Sequence, residues 1–532
     1  MRCFIGFIFT TITFFSNAQS NLNVLNYRFR ITVNDHNDSI QGQATIRFSV
    51  KEKTSFIIFD LTNLQKNGKG MIATNLKFNN PRLLQPAFIQ QKEKLIIKGN
   101  IFEKDDTATI IIYYKGIPAD GLIISNNKYG HRTFFADNWP NNGHNWLPCH
   151  DDPADKASVD FIVIAPDHYQ VVGNGILIEE KPLHNGNKQT HWKEEVPISV
   201  KVMTIGVAEF VVNLTSFVNN SIPVSSWVFP EDKGNGFYDY AIAKDILPFY
   251  IQNIGAYGFK KLANVQSTTR FGGMENASTI FYTENSITGE RQNEELFAHE
   301  IAHQWFGNMA TEKSFAHLWL SEGFATYFAI LYFENKYGKD VAINMLKEDR
   351  TKVIALSKTL HTPIIDLAGN DYMKLMNANN YQKGSWVLHM LRSQLGDSVF
   401  WAAIQKYYAR YAGGIAGTDD LRKVFETVSG ENLKLFFNQW LYKPGQPQLK
   451  INWKYNSKEK EIEIRITQKQ KSVFSFPLTI EIILSSGEII IKKLAINKMN
   501  SFFSFPVKEK PGELVADPDT NLLFEYTLER IK

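Results

Sequence analysis

The residues His299-Glu300-Ile301-Ala302-His303 set two imidazoles four positions apart, with an acid beside the first, inside a run whose spacing predicts a helix. Residues four apart share one helix face, so both rings reach one metal ion while Glu300 stands next to it. Zinc suits this set, because imidazole and carboxylate are its usual catalytic ligands and three protein ligands leave a fourth position for water. The simpler alternative is a bare pair of helix histidines, and this five-residue pattern arises by chance in on the order of one in a hundred chains. Glu322, separated from His303 by eighteen residues, decides between them. Its neighbours Trp319, Leu320 and Phe324 are apolar, so a solvated helix acid fits badly there. A carboxylate from a neighbouring antiparallel helix instead completes a hydrolytic metal site.

Three further segments accompany these ligands: Gly272-Gly273-Met274-Glu275-Asn276 upstream on an apparent sheet-edge strand, Trp305-Phe306-Gly307-Asn308 just after the histidines, and Asn380-Tyr381-Gln382-Lys383-Gly384 downstream. In this order and spacing the chain resembles the M1 (gluzincin) aminopeptidases, a family that includes the leukotriene A4 hydrolases. The resemblance extends over nearly the whole mature chain, the Leu147-Pro148-Cys149-His150-Asp151 segment included. It implies one zinc ion per chain on His299, His303 and Glu322, with Glu300 as general base. It also implies that Tyr381 donates its phenol hydrogen to the oxyanion of the tetrahedral intermediate. Without the resemblance Tyr381 reads as a core tyrosine. Gly272, Gly273, Met274, Glu275 and Asn276 are implied to bind substrate, Glu275 by pairing with the free α-ammonium of a peptide, while the glycines let a substrate backbone lie close. Peptides with a free N-terminus are therefore the implied partners.

The chain departs from the family pattern in three ways. Gln382 stands where the family usually has Glu. Thr133 to Pro140 offers no clean match to the second amine-binding residue, for which Asp137 or Asn138 is suggested. The large helical C-terminal domain of many relatives is not seen after the last β-rich segment, which implies a more open cleft. Phe271 is expected to wall the first side-chain pocket.

Three other readings use some of the same residues. A thermolysin-type zinc endopeptidase shares the ligands and Glu300 but has no use for Glu275. An epoxide hydrolase of the leukotriene branch also carries Gly-Gly-Met-Glu-Asn. A silent peptide-binding relative usually loses a ligand or the base, and here every one is present.

The elements that must position these residues follow from periodicity. Tyr27, Phe29, Ile31 and Val33 alternate with polar residues, Asn34 to Ser39 reads as a turn, and Ala44 to Val50 alternates again, a half-buried hairpin. Further strands are predicted at 55–61, 94–98 and 109–114, with hardly any helical periodicity before residue 210. From about 235 to 441 the spacing turns helical, with Thr418 as the N-cap of one late helix. Lys443 to Pro447 breaks the pattern, and alternation resumes at Leu449, with a turn at Ser485-Ser486-Gly487. The expected fold is multidomain α+β: an N-terminal all-β domain (19–212), a thermolysin-like zinc catalytic domain (213–445) and a small C-terminal β-sandwich (446–532).

Bulk numbers agree with this division. A chain of 532 residues, 44% hydrophobic, is long enough for about three domains. With 58 basic against 54 acidic residues and no basic run, nucleic acid is excluded as a partner. Residues 1–18 read as a signal peptide: Arg2 at the positive start, an apolar stretch from Cys3 to Phe15, and Ser16-Asn17-Ala18 for cleavage. That stretch is too short to span a bilayer and no other is long enough, so an exported mature chain without a transmembrane segment is expected. Removal of Cys3 would leave Cys149 alone, with no intramolecular disulfide.

Overall fold

The computed structural model describes residues 21–80, 83, 85–366 and 371–531; the signal read at residues 1–18 lies outside them. Among these residues the first third is all β. Tyr27, Phe29 and Ile31 turn inward from the strand Leu22–Thr32, and Ile46, Phe48 and Val50 from Ile40–Val50, the two arms of the expected hairpin. Its turn is closed by asparagine side chains: Asn34 Oδ1 accepts from the amides of His36 and Asn37, and Asn37 Oδ1 from that of Ser39. The hairpin lies inside a seven-stranded sheet, where Leu22–Thr32 also pairs in parallel with Lys156–Pro166. Smaller sheets carry the remaining N-terminal strands, Arg132–Ala136 among them.

The sheet that matters for the site has five strands, in the order Val211–Val218, Ile222–Val228, Leu262–Ser267, Thr279–Thr283 and Gly273–Met274. It begins just ahead of residue 213, and its edge is the two-residue strand Gly273–Met274, antiparallel to Thr279–Thr283. Helix Glu294–Ala302 stands against the edge of this sheet and against helix Trp319–Tyr337, which packs in turn on Gly384–Leu395. The Trp319–Tyr337 helix is buried through its first fourteen residues, as its nearly all-apolar sequence demands. Phe306 packs on Phe324 and Phe328, with ring centroids 4.5 and 5.0 Å away, fixing the loop after His303 onto that helix. The glycine after Glu322 allows the next contact: a Cβ on Gly323 would stand 2.8 Å from the backbone of Gly384. Only two glycines let the Glu322 helix and the segment following Tyr381 approach so closely.

Thr418 is not the N-cap of its helix. Gly417 caps Thr418–Ser429, and Asp420 accepts from the Gly417 amide at 2.8 Å. The Thr418 hydroxyl is turned inward, where it accepts from Trp319 Nε1 at 2.9 Å and meets His317 Nδ1 at 2.9 Å. It anchors the first turn of the Glu322 helix rather than its own, a demand of tertiary contact that local spacing does not carry.

The last part holds a four-stranded and a three-stranded sheet. Ile462, Ile464 and Ile466 on one and Leu478, Ile480 and Ile482 on the other are buried. Cys149 is a free, buried thiol. Among the described residues no helix is long and apolar enough to cross a membrane.

Candidate active site

The helix Glu294–Ala302 carries His299 and Glu300 and is capped by His303, whose backbone is still helical. Glu322 sits in the first turn of Trp319–Tyr337. Folding brings the three expected ligands together: His299 Nε2 and His303 Nε2 are 3.1 Å apart and lie 3.4 and 3.3 Å from Glu322 Oε2. Ligands held tetrahedrally at about 2.0–2.1 Å from zinc stand about 3.3 Å from one another, so these separations fit such an ion. Among the described residues this is the one group of three or more His, Cys, Asp or Glu close enough to share a metal.

Supporting contacts set the state of each ligand. His303 Nδ1 donates to the Phe306 carbonyl at 3.1 Å, with Ser321 Oγ 3.0 Å away, which turns Nε2 toward the cavity. Burial would raise Glu322, but His303 and His299 more than offset it and hold this carboxylate well below its usual range. Burial, reinforced by Glu275 and Glu322 and opposed by His303, pushes the Glu300 carboxyl well above its usual range. Burial, with the charges of Glu322, Glu275 and Glu300 adding to it, keeps Tyr381 a phenol and therefore a donor.

Tyr381 lies in a π-helical turn, Asn379–Lys383, that leads into Gly384–Leu395. The wider turn swings its ring over His299, parallel within 8° at 6.0 Å between centroids. His299, Glu300, His303, Glu322 and Tyr381 all line one cavity of about 640 Å³, together with Gly272, Gly273, Met274 and Glu275 from the sheet edge. Gln382 lines it too. Asn276, expected beside them, is fully buried and does not line it.

The two glycines play different parts. A side chain on Gly273 would collide with the Glu300 carboxylate, so its bareness makes room for Glu300. Beside Gly272 the nearest atoms are those of Leu296 at 3.9 Å, which leaves space for another chain. Glu275 is 5% exposed, and its Oε1 has no hydrogen-bond partner among the described residues. A buried carboxylate oxygen left bare at a cavity wall is a place for a cation.

Neither residue suggested for a second amine contact reaches the cavity. Asn138 donates to the carbonyls of Val200 and Met203 and accepts from Trp146 Nε1 at 2.8 Å. Asp137 pairs with Arg270 at 3.1 Å. Their neighbour Trp139 does line it, set edge-on against Phe271, which lines it as expected. Trp139, within the Thr133 to Pro140 segment, and Ser321, next to Glu322, take places at the site that their sequence positions do not announce.

The chain matches the peptidase M1 N-terminal domain over residues 23–200 and the peptidase family M1 domain over residues 238–440. It is 24% identical to aminopeptidase M1-A of Oryza sativa subsp. japonica over 459 residues, 82% of this chain and 52% of that protein. It is 25% identical to aminopeptidase 2 of Candida albicans over 481 residues, 85% of this chain and 50% of that one. Against glutamyl aminopeptidase of Bos taurus the identity is 26% over 334 residues, 60% of this chain and 35% of that protein. The chain thus spans about half the length, or less, of these curated relatives.

Proposed function

Because this chain belongs to peptidase family M1, we propose that it is a zinc-dependent aminopeptidase that removes N-terminal residues from peptides. The observation that carries this reading is Glu275: its bare, buried oxygen shares one cavity with the His299, His303 and Glu322 cluster. A dication at the cluster and an ammonium at Glu275 would satisfy both. An endopeptidase substrate would leave Glu275 unpaired in the cavity.

Zinc held by His299, His303 and Glu322 would supply a Lewis acid for the scissile carbonyl and lower the pKa of a water beside it. Glu300 takes the proton from the attacking water and passes it to the leaving amine. Tyr381 donates to the oxygen on which negative charge develops, a contact that strengthens only as the transition state forms. Glu275 holds the substrate ammonium, so that only the first peptide bond reaches Glu300. Trp139, Phe271 and Met376 give the cavity apolar walls, which supports a preference for apolar or medium-sized first residues.

The finer architecture fits this reading. A His-Glu-x-x-His helix beside a sheet-edge strand, with its third ligand on the next helix, supports a thermolysin-like catalytic part. The two apolar-faced sheets beyond residue 446 support a small β-sandwich. The Arg2 start, the apolar run to Phe15 and the small residues at 16–18 support action after export.

Turnover of an amino-acid p-nitroanilide tests the metal dependence. Chelation is expected to abolish it, and added zinc to restore it with one ion bound per chain. Full activity in a protein analysed as free of zinc would sink the proposal.

A further inference from the structure

The Trp305-Phe306-Gly307-Asn308 segment and Gln304 before it have no part in the chemistry so far, yet two of their side chains converge on one atom. Gln304 Nε2 donates to the main-chain carbonyl of Glu275 at 3.0 Å, and Asn308 Nδ2 donates to the same oxygen at 2.7 Å. Resting on the aminopeptidase reading, we propose that Gln304 and Asn308 are positioning residues for amine recognition, a paired amide clamp that fixes where the Glu275 carboxylate enters the cavity.

The need for a clamp follows from the strand. Gly273 and Met274 are paired with Tyr282 and Phe281, but the ladder stops there, so Glu275 leaves the sheet at the residue that must be held most accurately. Its carbonyl is taken over by the two amides, and both donors are themselves fully buried. Gln304 is fixed at its other end, where Oε1 accepts from the Ser278 amide at 2.8 Å. One side chain thereby ties both ends of the turn that follows Glu275.

Asn308 ties that turn to the metal cluster. Its own amide donates to the carbonyl of His303 at 3.1 Å, so a single residue bridges a ligand and the amine anchor. The distance between ammonium and scissile carbonyl is then built into the residues between His303 and Asn308. The N-terminal β part holds Asn308 from behind: Lys156 Nζ donates to the carbonyls of Asn308 and Met309 at 3.0 and 2.8 Å, and lies 3.4 Å from that of Gly414. Asn308 Oδ1 has no partner among the described residues, so the side chain is kept for its one bond to Glu275. Simple space-filling would be met by an apolar residue of that size.

Asn308→Ala and Gln304→Met each remove one donor and leave the carboxylate in place. With a free-amine aminoacyl p-nitroanilide, KM is expected to rise about tenfold while kcat changes little, because anchoring and not bond cleavage is disturbed. Preference for the free amine over its N-acetylated form should fall by a similar factor, and zinc content should stay at one per chain. A structural role alone would instead lower melting temperature and zinc content with KM unmoved. Wild-type KM and selectivity in both variants, loss of zinc in step with activity, or failure of both variants to fold would each overturn the proposal. If wild type itself shows no preference for the free amine, the aminopeptidase reading has failed first. If it does and the variants keep it, only the clamp is wrong.

Discussion

Glu300→Gln is expected to keep its zinc and lose catalysis, with kcat falling by about 10²–10⁴. The substitution preserves the shape that fills the space over Gly273, so the cavity and the three ligands should stay as they are. What goes is the ability to accept a proton from water and return it to the amine. Glu322→Ala should behave in the opposite sense: it removes the carboxylate that lies 3.3–3.4 Å from both imidazoles, so zinc is lost and activity with it. Zinc analysis of both purified variants beside their initial rates checks the division of labour. A Glu300→Gln protein without metal, or a Glu322→Ala protein with a full complement, would reverse the roles assigned here.

Tyr381→Phe is expected to lower kcat by about 10²–10³ with little change in KM. Burial and the neighbouring glutamates keep the hydroxyl a phenol and therefore a donor, and its ring lies parallel to His299. Losing only an oxygen leaves that packing intact, so the variant should fold and bind zinc. The cost falls on the transition state, where a full negative charge loses its donor. Steady-state kinetics on one substrate suffices, and an unchanged kcat would return Tyr381 to the role of a core residue.

The parts of this site that could be read from sequence are those whose geometry is local. His299, Glu300 and His303 declare themselves because helix periodicity alone puts them on one face, and Glu322 because an acid among Trp319, Leu320 and Phe324 has no solvent to face. The N-terminal hairpin is legible for the same reason: alternation and an asparagine-rich turn are encoded in adjacent residues. Contacts between distant segments leave no such mark. Nothing near Leu22–Thr32 announces its parallel partner Lys156–Pro166. Thr418 has the sequence of a helix cap and is spent on Trp319 and His317, about a hundred residues away. Gly273 reads as a gap for substrate, whereas the gap is filled by Glu300. Tyr381 is legible only through its motif, because its approach to His299 depends on a π-turn and on the contact of Gly323 with Gly384.

The central claim is that Glu275 measures one residue from a free amine. The direct test compares wild type and Glu275→Gln on a free peptide and its N-acetylated twin, with kcat/KM for all four combinations. Wild type should cleave the free peptide and all but ignore the acetylated one. Glu275→Gln keeps the shape and removes the charge, so its kcat/KM on the free peptide should fall by at least about a hundredfold, near the cost of breaking a buried charge pair, and the selectivity should shrink with it. Equal cleavage of both peptides by wild type, or undiminished selectivity in Glu275→Gln, would contradict the account and favour an endopeptidase.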